Sequence, residues 1–265
     1  MTQSAMNELA ASSVVEEIKK LGALRVGMWS FHPWAMKDKS GKWIGYEIDV
    51  ATRLAEDFGV ELELVPTPYA DLISELQADT FHVIISGIGI TPERNLEINF
   101  SIPYKRVGVG ILVGKQHQGK ISVIADLNKP GIKLVRRGAA VAKNIWRDYF
   151  PEAQDQQHED DARCLQAVLD GEAHAIISND PKPHFALMQR PDAFYITPDL
   201  HPIEHYRVGV GMRKGDPDAL NLFNNWIDQR YKDGWLKERS DYWNESTGWF
   251  DQVDDNPFLM ASSQN

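Results

Sequence analysis

Cysteine is nearly missing from this sequence: Cys164 is its single thiol, so no intramolecular disulfide can form. The residue lies in the helical-looking stretch DDARCLQAVLDG. Because free cysteines are among the residues most often buried in proteins, we expect Cys164 to be an ordinary packed thiol rather than a reactive group.

Long apolar runs are missing as well. None approaches the ~18 to 20 residues that a membrane-spanning helix needs, so nothing in the chain is expected to anchor it in a bilayer. The N-terminal stretch MTQSAMNELAASSVVEEIKK has no apolar signal-peptide core. A signal removed during export leaves no trace in a mature chain, so this lack does not indicate a cytoplasmic protein.

Basic residues are in the minority, with 28 Lys and Arg against 38 Asp and Glu and a formal net charge of −10 at pH 7. This balance argues against nucleic acid or an anionic membrane surface as the principal partner. We expect a small molecule or a protein as partner, no nucleic acid, and neither a metal nor a cofactor.

Short apolar runs alternate with amphipathic stretches along the first third of the chain: LRVGMW, IDVATRLAEDFG, ELELVPT, YADLISELQADT and HVIISG. The alternation predicts an α/β fold with a mostly parallel sheet. A helix that begins with Glu16 and Glu17 is predicted to end at Gly22, and the turn residues of MKDKSGKWIGYEI predict a hairpin. With 43% hydrophobic residues, 265 residues suffice for one large or two modest domains.

Two internal similarities favour two lobes of similar build. LISELQADTFHVIISG resembles CLQAVLDGEAHAIISN and aligns His82 with His174 and Ser86 with Ser178. RVGVGILVGKQ, from Arg106, resembles YRVGVGMRKGDP, and the two segments are either crossover strands that join the lobes or unrelated surface strands. As crossover strands they place lobe 1 at 14–108 plus 209–250, lobe 2 at 109–208, and tails at 1–13 and 251–265.

The stretch ISGIGITPERNLEINFS is the first candidate ligand site. A strand ends near Ser86, Gly87 and Gly89 allow the backbone to approach a ligand, and Thr91-Pro92 predicts a helix start. Such a start attracts anions, and Arg94 one turn later adds a guanidinium suited to a carboxylate. A surface arginine on a capped helix is an equally good interpretation of this stretch taken alone.

A second strand-turn-helix follows at IKLV, Arg136-Arg137-Gly138 and AAVAKNIWRDYF. The backbone N–H groups of Ala139 and Ala140 would lie at a helix start and add donors for the same carboxylate. For the two arginines themselves the favoured interpretation is solvated charge, because paired arginines in a loop usually face water.

The remaining candidates follow strands. Asp180 comes directly after the strand AIISN, where a carboxylate can receive an ammonium group, although an Asx turn before Pro181 is as good an explanation. Aromatic rings that could enclose a ligand body also follow strands, although each taken singly is more often a core residue. They are Trp29, Phe31, Trp34 and Tyr69.

The order VEEIKKLGALRVGM, GKWIGYEIDVATRLAEDFGVELELVPTPYADLISELQADTFHVIISGIGITPER and INFSIPY resembles the family 3 extracellular solute-binding proteins of amino-acid ABC transporters. The resemblance covers about Val14 to Trp243, is specific in the first lobe and is fainter in the second. It implies a type II periplasmic-binding-protein fold: two α/β lobes joined by two crossover strands, with a cleft that closes by a hinge.

The resemblance also implies roles for individual residues. Arg94 would clamp the ligand's α-carboxylate, Asp180 would bind its α-ammonium, and Ser86 with the backbone of Gly87 and Gly89 would supply polar contacts. Phe31 and Tyr69 would form aromatic walls, to which we add Trp29 and Trp34.

Two departures from the family pattern affect the ligand. Gly138-Ala139-Ala140 lacks the hydroxyls that members commonly carry there, so the grip on the carboxylate is expected to differ. Trp29 stands near the position where members selective for basic side chains carry an acid, and its lack of negative charge argues against lysine or arginine as the ligand.

We therefore predict a periplasmic solute-binding protein, without enzymatic activity, that captures an amino acid or similar small zwitterion and delivers it to a membrane ABC transporter permease. Two alternatives remain. The first is an enzyme resembling cyclohexadienyl dehydratases, although no Glu lies near Asp180 and a general acid would have to be His32 or His184. The second is the sensor domain of a receptor, for which the sequence has no transmembrane segment.

Overall fold

The computed structural model describes residues 13–138, 140–159 and 161–254, and these residues divide into two compact units. Unit 1 takes the chain up to Arg106 and again from Arg207 to Asp254, and unit 2 runs from Val107 to Tyr206. Each unit combines helices with a sheet, which confirms the predicted fold of two α/β lobes. The predicted lobe boundaries at 108/109 and 208/209 stay a prediction.

The described residues form helices and strands that we number in chain order. The helices are α1 (Val14–Leu21), α2 (Tyr46–Phe58), α3 (Leu72–Gln77), α4 (Pro92–Glu97), α5 (Ile124–Leu127), α6 (Ala140–Tyr149), α7 (Asp161–Leu169), α8 (Lys182–Gln189), α9 (Pro217–Lys232) and α10 (Trp235–Glu245). The strands are β1 (Ala23–Met28), β2 (Met36–Lys37), β3 (Trp43–Ile44), β4 (Glu61–Pro66), β5 (Val83–Ile84), β6 (Asn99–Phe100), β7 (Lys105–Gly114), β8 (Lys133–Arg137), β9 (Gln154–His158), β10 (Ala175–Asn179), β11 (Phe194–Tyr195), β12 (Glu204–Val208) and β13 (Gly211–Met212). No helix in these ranges is long and apolar enough to cross a membrane.

Unit 1 is built on a five-stranded sheet in the order β4-β1-β5-β13-β6. Strand β1 lies parallel to both β4 and β5, while β13 pairs antiparallel with β5 and β6. The sheet packs closely, because a Cβ built on Gly27 would lie 2.3 Å from the Phe81 ring. A side chain at Gly27 would therefore displace a fully buried aromatic residue, and glycine is required where the two elements meet.

The N-terminal helix of unit 1 is capped at both ends, and it ends at Gly22 as predicted. The Ser13 hydroxyl accepts a hydrogen bond from the Val15 N–H, and Gly22 ends the helix with φ of 70°. The Asp216 carboxylate also accepts from the Val14 N–H at 2.7 Å and from the Ala219 N–H at 2.9 Å. One carboxylate thus caps two helices that lie about 200 residues apart in the chain.

The predicted hairpin is confirmed as β2 and β3, which pair antiparallel. The Asp38 carboxylate organises its turn by accepting from the backbone N–H groups of Ser40 at 2.8 Å and Lys42 at 2.9 Å. Gly41 takes the positive φ of 83° that the turn requires. Tyr46, which the sequence pattern assigned to the second strand, instead begins α2.

Unit 2 is built on a sheet in the order β11-β7-β10-β8-β9, with β12 paired to β7. Strands β8, β9 and β10 run parallel, while β7 lies antiparallel to β10 and β11. Cys164 is 1% exposed and packs with the apolar residues of one sheet face, so the prediction of a packed thiol is confirmed.

His82 and His174 make the same pair of contacts in the two units. The Arg25 N–H donates to His82 Nδ1 at 3.0 Å, and the Lys133 N–H donates to His174 Nδ1 at 3.1 Å. The backbone N–H of each histidine donates in turn to the carbonyl of the same strand residue, Arg25 for His82 and Lys133 for His174. Burial lowers the pKa of both rings, that of His82 to about 4, so both rings stay neutral acceptors near pH 7. The predicted internal similarity therefore has a structural counterpart.

Candidate functional site

The turn after β5 carries the first candidate site. Ser86 is buried, and its hydroxyl accepts a hydrogen bond from the Trp29 N–H at 2.6 Å. Gly87 adopts a left-handed φ of 61°, and Gly89 forms an isolated β-bridge with Val208. The turn is therefore fixed on one side by the end of β1 and on the other by the end of β12, as a preorganised binding loop requires.

Arg94 is held beside this turn by two hydrogen bonds. Its Nη1 donates to the Gly89 carbonyl at 2.7 Å, its Nη2 donates to the Tyr69 hydroxyl at 3.1 Å, and its guanidinium carbon lies 5.7 Å from the centre of the Tyr69 ring. Its backbone N–H donates to the Thr91 hydroxyl, which caps α4 as predicted. Within the part of the chain that the structure describes, no carboxylate forms an ion pair with this guanidinium. An oriented cation with unused donors is suited to a ligand carboxylate.

Glu47 lies behind the turn and was missed by the sequence analysis. Its side chain is 1% exposed, and the Tyr104 hydroxyl lies 2.5 Å from its Oε1. Burial raises the pKa of Glu47 to about 8, against the opposing effects of the Tyr104 hydroxyl and the Gly87 N–H. Near pH 7 this carboxyl is mostly protonated. It supports the turn at Gly87 from the protein interior instead of facing a ligand.

The four aromatic candidates divide by exposure. Trp29 is 40% and Tyr69 42% exposed, which leaves both rings accessible. Phe31 is half-buried at the start of a tight turn, where its N–H donates to the Ala35 carbonyl at 2.7 Å. Trp34 is 3% exposed and packs edge-on against Tyr46 at 5.6 Å. The structure therefore places Trp34 in the core of unit 1, which argues against its predicted place in a ligand wall.

The second predicted anion site differs from expectation at its arginines. Strand β8 continues through Arg137, and Arg136 is 2% exposed instead of solvated. Its guanidinium donates from Nε and Nη2 to the two carboxylate oxygens of Asp155 at 2.8 and 2.6 Å. The expectation of solvated charge is wrong for Arg136, because β9 brings a counter-charge beside it. Arg137 is half-exposed and contacts Asp161 at 3.4 Å.

The backbone donors predicted after this strand are only partly described. Ala140 begins α6, and its side chain lies outside the described residues, as does the whole of Ala139. Their proposed contact with a carboxylate stays a prediction.

Asp180 follows β10 in unit 2, as predicted. Its N–H donates to the Gly108 carbonyl at 2.9 Å, and its Oδ1 lies 2.7 Å from Nε2 of His201. The side chain remains 34% exposed, so the carboxylate is accessible to a ligand cation. His201 was missed because it lies 21 residues further along the chain in a loop.

Groups of three or more His, Cys, Asp or Glu side chains placed to hold a metal ion are not found in the described ranges. The polar candidates instead form two separate sets: a guanidinium with a backbone turn in unit 1, and a carboxylate in unit 2. A zwitterion offers the complementary pair of charges.

Comparison with known proteins agrees with this chemistry. The model of the bacterial extracellular solute-binding proteins, family 3, matches residues 24–246. The L-cystine-binding protein TcyJ of Escherichia coli (strain K12) is 28% identical over 90% of this chain and 88% of its own. The cyclohexadienyl dehydratase of Pseudomonas aeruginosa is 24% identical over 89% of this chain and 88% of its own. A solved structure named Ancestral Cationic Amino Acid Solute Binding Protein superposes with a TM-score of 0.77 at 36% identity, covering 88% of this chain and all of that one. The chain belongs to the bacterial extracellular solute-binding proteins, family 3.

Proposed function

We propose that the protein reversibly captures a free amino acid outside the cytoplasmic membrane, in the periplasm, and presents it to an ABC transporter permease. The observation that carries the proposal is the orientation of Arg94 by Gly89 and Tyr69 next to a turn built from Ser86 and Gly87. A planar guanidinium fixed in this way offers a carboxylate two parallel N–H donors.

The α-ammonium group is assigned to Asp180. This carboxylate follows a strand end, is partly exposed, and has one of its oxygens held by a histidine. An ammonium group pairs favourably with a carboxylate that is already oriented and partly removed from water. Arg94 belongs to unit 1 and Asp180 to unit 2. The family resemblance implies that ligand binding favours a closed state through a hinge.

The side chain of the ligand is selected, in this proposal, near Trp29 and Tyr69. Tyr69 already has the Arg94 guanidinium over its ring, so a second cation there meets a like charge. Trp29 offers an accessible ring and no counter-charge. A similar solved structure is named for cationic amino acids. Whether the ligand's side chain is charged is therefore the main question about selectivity.

We expect uncharged amino acids to stabilise the protein more than lysine or arginine, because burying an unpaired ligand cation is costly. A thermal-shift screen of the common amino acids tests this, since a ligand that binds only the folded state raises the melting temperature. Trp29→Asp should then gain affinity for lysine at least tenfold relative to Trp29→Ala, because it supplies the counter-charge. If lysine or arginine gave the largest shift and Trp29→Ala kept that preference, the role assigned to Trp29 would be wrong.

A dehydratase is the second candidate, favoured by the similarity to the enzyme of Pseudomonas aeruginosa. Expulsion of a hydroxyl from a cyclohexadienyl substrate needs a general acid within reach of the leaving group. After Asp180 the chain continues with Pro181-Lys182-Pro183, and Lys182 is largely buried against Asp161. This segment supplies no carboxylic acid, so we propose a binding protein without this activity.

Incubation of the protein with prephenate or arogenate is therefore expected to give no product above the uncatalysed background. Liquid chromatography of the reaction mixture measures the outcome directly. Product formation that disappears in His32→Ala or His184→Ala would replace the binding assignment with an enzymatic one.

A further inference from the structure

The pair of Asp180 and His201 has features that a simple surface contact lacks. The His201 ring is 13% exposed and points Nε2 at Asp180 Oδ1 over 2.7 Å. Because a carboxylate only accepts, Nε2 carries the proton in this contact. The opposite ring atom, Nδ1, is buried and has no hydrogen-bond partner within the described residues. A neutral imidazole with its proton on Nε2 leaves only a lone pair at that buried position.

The pair rests on two glycines of β7. A Cβ built on Gly108 would lie 2.3 Å from Asp180 Oδ2, and one built on Gly110 would lie 2.1 Å from His201 Nδ1. Neither glycine has a positive φ among the described backbone angles, so the close approach, and not backbone strain, requires them. The RVGVG segment singled out in the sequence thus makes room for both members of the pair.

The equivalent glycines of the second RVGVG segment have other neighbours. A Cβ on Gly209 would meet Ile90 and the Ser101 carbonyl, and one on Gly211 would meet Ile98 and Ile84. The repeated segment therefore lies against a carboxylate–imidazole pair in unit 2 and mainly against isoleucine side chains in unit 1. Of the two RVGVG segments, the one in β7 lies beside the carboxylate–imidazole pair, and the one at residues 207–211 does not.

We propose that His201 is a positioning residue of the ligand's ammonium subsite: it holds the Asp180 carboxylate in place by donating one hydrogen bond to Oδ1. This inference rests on the proposed capture of an amino acid. The hydrogen bond from Nε2 orients the carboxylate, and an imidazole can donate it without the permanent positive charge that an arginine or lysine would place beside Oδ1. His201 acts through Asp180 and is not assigned a contact with the ligand.

The test compares an uncharged amino acid with its analogue that lacks only the α-ammonium group: L-glutamine with glutaramate, and L-leucine with 4-methylpentanoate. Isothermal titration calorimetry gives the ratio of the two affinities for each protein. We expect His201→Leu to lower affinity for the amino acid about 10- to 100-fold and for the analogue less than threefold. His201→Gln, whose amide can donate to Oδ1, should recover most of the ratio. A purely structural role would weaken both ligands of a pair alike.

Two further variants show whether His201 works through Asp180. Asp180→Asn should reduce the same ratio, and adding His201→Leu to it should change the ratio less than threefold further. His205→Leu is the matched control, since His205 is an exposed histidine on β12 of the same unit. His201→Met replaces His201→Leu if the latter melts more than about 10 °C below the wild type.

The outcomes separate this inference from the proposed function. If the wild type binds both amino acids no better than their analogues, the ammonium subsite itself is wrong, and the inference is overturned with it. If the wild type discriminates and His201→Leu discriminates equally well, capture of an amino acid stands and the positioning role of His201 is overturned.

Discussion

Arg94→Ala is expected to reduce affinity for the captured amino acid about 30-fold to several thousand-fold. A ligand carboxylate buried without its cationic partner costs about 2 to 5 kcal/mol, and each 1.4 kcal/mol is a factor of ten in the dissociation constant. The folded state should be nearly unaffected, because Arg94 is only half-buried and loses contacts to one carbonyl and one hydroxyl. Calorimetric titration with the amino acid that gives the largest thermal shift measures the loss.

Two variants make the Arg94 result specific. Arg94→Lys keeps the charge but loses the planar fork, so its affinity should fall between those of the wild type and Arg94→Ala. Arg53→Ala removes an arginine of α2 in the same unit that pairs with Asp57, and it should bind normally. Near-wild-type affinity in a folded Arg94→Ala protein would mean that the carboxylate is held elsewhere.

Arg136→Ala is expected to lower the free energy of unfolding of unit 2 by about 3 kcal/mol. Removal of one member of a buried ion pair leaves the other charge uncompensated, which costs about 3 to 5 kcal/mol. The lower end applies here because the Asp155 side chain is 21% exposed and can regain some water. Chemical denaturation followed by circular dichroism measures the difference.

An exposed ion pair in the same unit supplies the control. Arg147 and Asp148 contact each other at 2.7 Å with side chains that are 63% and 51% exposed, so Arg147→Ala should change the free energy of unfolding far less than Arg136→Ala does. The double variant Arg136→Met/Asp155→Leu should recover most of the lost stability, because it removes both buried charges together. Equal effects of Arg136→Ala and Arg147→Ala on the free energy of unfolding would show that the buried pair contributes no more to stability than the exposed pair.

The turn that holds Arg94 could be predicted because its determinants are local. Thr91 before Pro92 favours a helix start, and Gly87 and Gly89 permit backbone conformations that other residues rarely adopt. The structure shows the cap on Thr91 and the positive φ of Gly87 that these residues indicate. Local signals therefore sufficed for the helix start, whereas the contacts with Trp29, Tyr69 and Val208 that hold the segment come from distant parts of the chain.

Arg136 could not be predicted in the same way. The tandem arginines suggest a polar loop, but the strand continues through them, and the burial of Arg136 depends on pairing between β8 and β9. That pairing places Asp155 opposite Leu134, next to Arg136 on the sheet. The register between two strands about 20 residues apart cannot be predicted from the two arginines alone.

Glu47 and His201 were missed for a related reason. An acid in the first turn of a helix is usually explained by the helix dipole, so Glu47 gave no sign that it would be buried against Tyr104, 57 residues away. His201 lies in a loop, and its partner precedes it by 21 residues. Both residues gain their chemical importance from long-range packing, which a single sequence does not reveal.

The interior position of β13 in the first sheet affects the order in which the two units can be completed during synthesis. Residues 211–212 pair with β5 on one side and with β6 on the other. The sheet therefore cannot join β5 to β6 until most of the chain has been translated. Unit 2 is continuous, and all its strands exist once residue 208 has left the ribosome. Domains generally fold as units during synthesis. The nascent chain therefore contains every strand of unit 2 before the last strand of the unit 1 sheet has been translated.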